Sequence, residues 1–125
     1  MNFLLIYDDR SAEAKSAARS LDAFLKDAGH STVFLKRELI SPSSYAFEFS
    51  NAKQKFADRF FDISIAEADM MLVFGGDGSI LNAVQLSTPF GIPVMGFNYG
   101  RLGYLSNRFE GNVCKFFEAF LEDYR

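Results

Sequence analysis

The chain of 125 residues has one cysteine, one histidine, three prolines and no tryptophan. A lone Cys114 excludes a disulfide within the chain and fits a reducing compartment. With no histidine beside it, a metal site at Cys114 is remote, and packing is the simpler role. The one histidine, His30, follows a helix stop and reads as a surface or turn residue. Basic residues are not in excess: 13 Lys and Arg stand against 16 Asp and Glu, for a net charge of −3. No basic face for a nucleic-acid backbone is therefore expected. Long hydrophobic runs are also missing. The apolar stretch Phe3–Ile6 meets Asp8, Asp9 and Arg10 almost at once, which suits neither a signal peptide nor a membrane span. The expectation is a cytoplasmic protein with no membrane partner. Repeats, low-complexity tracts and linkers are absent too, so residues 1–125 read as one domain.

Apolar material is plentiful at 49% of residues, with fifteen phenylalanines that read as core filling. Phe3–Tyr7 suits a strand buried on both faces. After Ser11, apolar residues recur at Ala14, Ala17, Ala18, Leu21, Phe24, Leu25 and Ala28, one face of a helix that Gly29 stops. Thr32–Leu35 reads as a second strand, and residues 37–50 as a long loop or edge excursion. Asn51 could cap a helix to about Ala68 with Phe56, Phe60 and Ile63 on one side. Met70–Phe74 is a third strand, followed by a helix from about Gly78 to Leu86. Ile92–Phe97 is a fourth strand. Val113, Phe116, Phe117, Phe120 and Leu121 step as a closing amphipathic helix. Strands alternating with helices predict a three-layer α/β fold, a mostly parallel sheet with helices on both faces.

Ligands of such sheets sit beyond the carboxyl ends of strands. Three segments lie there: Asp8-Asp9, Gly75–Ser79 and Asn98–Arg101. The stretch Gly75-Gly76-Asp77-Gly78-Ser79 sets one carboxylate among glycines where strand gives way to helix. Glycine tolerates positive φ and close backbone approach. The helix start offers unpaired amides and a dipole that suit an anion. An ionised Asp77 could orient or deprotonate a hydroxyl, or hold Mg²⁺. Ser79 adds a hydroxyl. An ordinary turn with an aspartate cap explains the same residues equally well. The stretch is neither a G-x-G-x-x-G fingerprint nor a Gly-Lys-Ser/Thr phosphate loop. Asp8-Asp9 is favoured as a structural turn, and Arg101 reads equally as a phosphate ligand or a solvated loop residue.

A second segment, Gly96-Phe97-Asn98-Tyr99-Gly100-Arg101-Leu102-Gly103-Tyr104-Leu105, changes the balance. Together with the G-G-D-G-S turn it resembles the amino-terminal domain of NAD kinases, in order and across the whole chain. The resemblance implies transfer of a phosphate from ATP or polyphosphate to the 2′-hydroxyl of the adenosine ribose of NAD, giving NADP. Asp77 matches the catalytic aspartate. Gly75, Gly76, Gly78, Ser79, Leu81, Asn98, Gly100 and Arg101 match substrate- or nucleotide-binding positions. A divalent metal, usually Mg²⁺, would neutralise the donor phosphates, with no metal ligands assigned on the chain. A homo-oligomer is implied for the full-length protein. The family also carries a β-rich second domain with an Asn-Glu or Asn-Asp motif, and neither pair occurs here. The chain on its own is therefore expected to be inactive. A non-catalytic nucleotide- or partner-binding domain is the alternative. Lipid kinases and phosphofructokinases share the G-G-D-G turn but continue with different loops.

Overall fold

The structure, a computed structural model, describes residues 1–35, 67–100 and 109–124. The expected loop at 37–50, the helix expected from Asn51 except its last two residues, and Arg101 to Leu105 lie outside the described residues. Four strands form one parallel sheet: β1 (Asn2–Tyr7), β2 (Ser31–Phe34), β3 (Met70–Gly75) and β4 (Val94–Asn98), in the order β2-β1-β3-β4. Among the described residues, three α-helices pack on it: α1 (Ala12–Asp27), α2 (Asp77–Ser87) and α3 (Val113–Tyr124).

The two central strands, β1 and β3, are the continuous apolar runs, because each must bury both sets of alternate side chains. Phe3, Leu5, Met70, Leu72 and Phe74 point to one face and meet Ala14, Ala18, Leu21 and Leu25 of α1 and Phe117 and Leu121 of α3. Leu4, Ile6, Met71 and Val73 point to the other face, which shares a core with Ala83 and Leu86 of α2. The handedness rule accounts for this division. From the central pair, the β1–β2 step and the β3–β4 step run in opposite directions, so right-handed crossovers place α1 and α2 on opposite faces. Full burial of a side chain such as Phe3, Leu72 or Phe117 stabilises the fold by about 1.5–3 kcal/mol each.

The first face is aromatic. The rings of Phe74 and Phe97 stack at 5.1 Å, and Phe3 and Phe117 meet edge to face at 5.5 Å. The fifteen phenylalanines thus serve the core in part, as composition suggests, although Phe116 stays half exposed. His30 lies where a turn residue should. Its ring meets Phe3 edge-on at 5.4 Å, and its amide donates to the Leu25 carbonyl as α1 closes.

Local signals set the helix ends. Ser11 Oγ accepts from the Ala14 amide at 3.1 Å, and Gly29 takes φ +89° one residue past the C-cap Ala28. Asn112 caps α3, its Oδ1 accepting from the Cys114 and Lys115 amides at 2.9 and 3.1 Å. β4 begins two residues later than Ile92 because Pro93 has no N–H to give a sheet. The Pro93 carbonyl still accepts from the Met71 amide.

Candidate functional site

Strands β1 and β3 are adjacent, yet their chains leave in opposite directions. Their carboxyl ends therefore flank the crevice where parallel α/β sheets hold ligands. Tyr7 ends one strand and Gly75 the other, and Asp8 donates its amide to the Phe74 carbonyl at 2.9 Å. β4 ends level with β3, Asn98 opposite Gly75. The β3–α2 turn and the segment after β4 thus meet at one corner of the sheet.

Asp77 is the first residue of α2, one position earlier than the periodicity indicates. Gly76 is the N-cap, so the aspartate-cap reading of this turn does not hold. Glycine brings no side-chain acceptor, and the first i→i−4 bond is that of Ile80 to Gly76, at 3.1 Å. The amides of Asp77, Gly78 and Ser79 precede that bond, in the positions where a helix dipole favours negative charge. A carboxylate in this first turn gains about 0.3–1 kcal/mol from the dipole. Asp77 is half-buried.

Gly75 and Gly100 are required for close approach, not for backbone handedness. Among the described residues, positive φ occurs at Gly29, Gly91 and Gly111, and at none of Gly75, Gly76 or Gly78. A Cβ on Gly75 would stand 2.9 Å from Ser79 Oγ and 3.3 Å from Asp8 Cβ. One on Gly100 would stand 2.9 Å from the Gly76 Cα, so the two loops touch backbone to backbone. One on Gly78 would meet nothing within 4 Å. Gly78 is exposed, and neither conformation nor protein packing requires glycine there.

Asn98 is 2% exposed, a buried carboxamide at the end of β4. Its Nδ2 donates to Asp77 Oδ1 at 3.2 Å, and its Oδ1 accepts from the Gly100 amide at 2.8 Å. The Tyr99 amide donates to the Gly75 carbonyl at 2.9 Å, and the Phe109 amide to the Asn98 carbonyl at 2.6 Å. Gly75, Gly76, Asp77, Gly78, Ser79, Asn98 and Gly100 are therefore gathered at one place. Leu81, one helical turn past Asp77, is 48% exposed on α2. Arg101 lies outside the described residues.

Asp8 behaves differently. Its carboxylate takes the Arg10 amide at 3.0 Å, Arg10 Nε at 3.1 Å and Arg10 Nη2 at 3.0 Å, and its carbonyl takes the Ser11 amide. It closes the β1–α1 turn, as the strand-end pair suggests. The hydrogen bonding of the Arg10 guanidinium to the Asp8 carboxylate, then the charge of that carboxylate, pushes the guanidinium above its usual pKa. Cys114 is partly buried, and that burial raises its thiol pKa, which fits a packing role. It lines a groove of about 510 Å³ between the starts of α1 and α3, with Glu13, Ser16, Tyr99 and Asn112; Asp77 does not line it. Two features escaped the sequence reading. The Asn112 cap was legible as an Asn just before an apolar run. The Asp77–Asn98 pair, 21 residues apart, has no local signal.

Fold and site together define a doubly wound parallel α/β domain with a glycine-flanked carboxylate at the switch between strands. The family model of the ATP-NAD kinase N-terminal domain matches residues 3–124, and the chain belongs to that family. A protein named NAD kinase 2 from Prochlorococcus marinus is 29% identical over 122 residues, covering 94% of this chain and 39% of that protein. NAD kinase from Symbiobacterium thermophilum is 48% identical over 47 residues, 38% of this chain and 17% of its own length. NAD kinase from Coxiella burnetii is 51% identical over 41 residues, 33% of this chain and 14% of its own. The chain thus spans at most about two fifths of the length of these relatives. Among the described residues, no helix is long and apolar enough to cross a membrane.

Proposed function

We propose that this chain supplies the nucleotide-binding half of an NAD kinase, which moves a phosphate from ATP or polyphosphate to the 2′-hydroxyl of the adenosine ribose of NAD. The observation that carries the reading is Asp77. A carboxylate opens α2 within the first-turn amides, at the switch point of the sheet, and a buried carboxamide donates to it. In this role Asp77 accepts the proton of the 2′-hydroxyl, or holds that hydroxyl in line with the donor phosphate. The amides of Gly78 and Ser79 face the dinucleotide phosphates, and Gly78 leaves room for them because no Cβ intervenes. Gly75, Gly76 and Gly100 shape the pocket floor, and Ser79 offers a hydroxyl. Leu81 and Arg101 complete the nucleotide contacts.

Mg²⁺ belongs to this reading as part of the phosphate donor. The described residues hold no group of three His, Cys, Asp or Glu side chains fit to bind a metal ion. Bound with the donor, Mg²⁺ would neutralise the charge of the phosphates. The enzyme so described is cytoplasmic, a homo-oligomer whose β-rich second domain completes the nucleotide pocket.

The test is NADP formation from NAD, ATP and Mg²⁺ by the full-length gene product, with Asp77→Asn beside it. The expected loss in kcat is about 10²- to 10⁴-fold, with KM for NAD little changed. Unchanged turnover would overturn the role of Asp77. The 125-residue chain alone is expected to form no NADP; if it does, the half-site reading fails.

A further inference from the structure

We infer that Asn98 is a positioning residue for Asp77, and that it orients the carboxylate without touching the nucleotide. This rests on the catalytic role given to Asp77 above. Three observations carry it. The carboxamide is 2% exposed, so a ligand has almost no surface of it to meet. Both of its ends meet protein: Nδ2 donates to Asp77 Oδ1 at 3.2 Å, and Oδ1 accepts from the Gly100 amide at 2.8 Å. The orientation of the amide is fixed by its partners. A backbone N–H is only a donor, so the atom facing Gly100 must be the oxygen, and the NH₂ must face Asp77. The NH₂ can only donate, and the acceptor it meets is the Asp77 carboxylate.

The Asn98 backbone is held as firmly as its side chain. Its α-carbon is in register with Gly75, the Tyr99 amide donates to the Gly75 carbonyl, and Gly100 lies against the Gly76 Cα. The end of β4 is thereby joined to Gly75 and Gly76, the two residues that lead into Asp77. A carboxylate so tied presents one oxygen to Asn98 and keeps its plane while a hydroxyl approaches. A displacement of about 1 Å at a reacting group is enough to cost about 10²-fold in rate.

The experiment is steady-state kinetics of the full-length gene product with Asn98→Ala, Asn98→Asp, Asp77→Asn and the double variant Asp77→Asn/Asn98→Asp. Asn98→Asp is nearly isosteric and keeps the acceptor for Gly100, but turns an acceptor toward Asp77. Both Asn98 variants are expected to lower kcat by about 10- to 100-fold with KM for NAD nearly unchanged. Because Asn98→Asp retains the loop bond, a fall in its kcat with native thermal unfolding separates positioning from collapse. In the double variant the added loss should vanish, since no carboxylate at 77 remains to be oriented. A multiplied loss would mark a structural role and overturn the proposal. So would a raised KM with unchanged kcat, which would make Asn98 a ligand contact, or unchanged kinetics in both single variants. If Asp77→Asn alone leaves turnover intact, the kinase reading fails instead.

Discussion

Two aspartates stand past the ends of adjacent parallel strands, Asp8 after β1 and Asp77 after β3, and their neighbours give them different work. Asp8 is clamped by its own turn. Two nitrogens of the Arg10 side chain and the Arg10 amide converge on its carboxylate, whose side chain is only 14% exposed. Asp77 has glycine on either side, the start of a helix dipole behind it and a buried carboxamide across from it. A cation two residues away makes the first acid a structural piece. A neutral donor 21 residues away orients the second and leaves its charge uncancelled by that partner. The comparison teaches that position at a strand end does not set the work of a carboxylate; what holds it does, an arginine at Asp8 and a buried carboxamide at Asp77.

The widest separation between the two acids is expected in turnover. Asp77→Asn should cost about 10²- to 10⁴-fold in kcat. Asp8→Asn keeps the shape of the side chain and its acceptor for the Arg10 amide, and should leave kcat nearly unchanged. Comparable losses in the two variants would erase the distinction.

Gly100→Ala attacks the holding of Asp77 from the side. The new Cβ would stand 2.9 Å from the Gly76 Cα, a backbone atom that cannot swing aside. A destabilisation of about 1–3 kcal/mol is expected in denaturant unfolding, with a fall in kcat as β4 is pushed from β3. Full stability in that variant would mean that the two loops do not touch as described.

Gly78→Ala sharpens the same point with opposite signs for stability and function. Nothing lies within 4 Å of the added methyl, and the position is helical with ordinary φ. Stability should rise by about 0.4–1 kcal/mol, because alanine loses less freedom on folding. With the phosphates at the first-turn amides as proposed, the methyl would meet them and KM for NAD should rise. An unchanged KM would remove Gly78 from the nucleotide contacts.

Much of the fold was legible because it rests on local pattern. Phe3–Tyr7 and Met70–Phe74 are continuous apolar runs, and a central parallel strand has no solvent face on which to place polar residues. The Ser11 start, the Gly29 stop and the Ala14–Leu25 stripe of α1 are signals within one helix, so spacing alone locates them. The site was legible in composition but not in arrangement. Glycines around Asp77 signal close approach, yet which backbone approaches which depends on β3–β4 register, and that is a tertiary fact. The positive φ that glycine suggested at this turn is not used there. Asn98 read as a lining residue of the cleft, because nothing in Phe97-Asn98-Tyr99 says that its carboxamide turns inward to Asp77.

The smallest effect concerns the clamp on Asp8. Arg10→Ala removes two side-chain hydrogen bonds at 3.0 and 3.1 Å but leaves the Arg10 amide on the carboxylate. The guanidinium end is open to water, with 73% of the Arg10 side chain exposed, so solvent screens the pair. The expected loss is small, because water screens the exposed guanidinium, and should shrink further as salt is added. Thermal unfolding at low and high ionic strength measures it, and NADP formation is expected to stay unchanged. A fall in kcat of more than about tenfold, equivalent to about 1.4 kcal/mol of barrier, would draw the Asp8–Arg10 pair into the site. Both strand-end acids would then act on the ligand, one through its charge and the other through the arginine it holds.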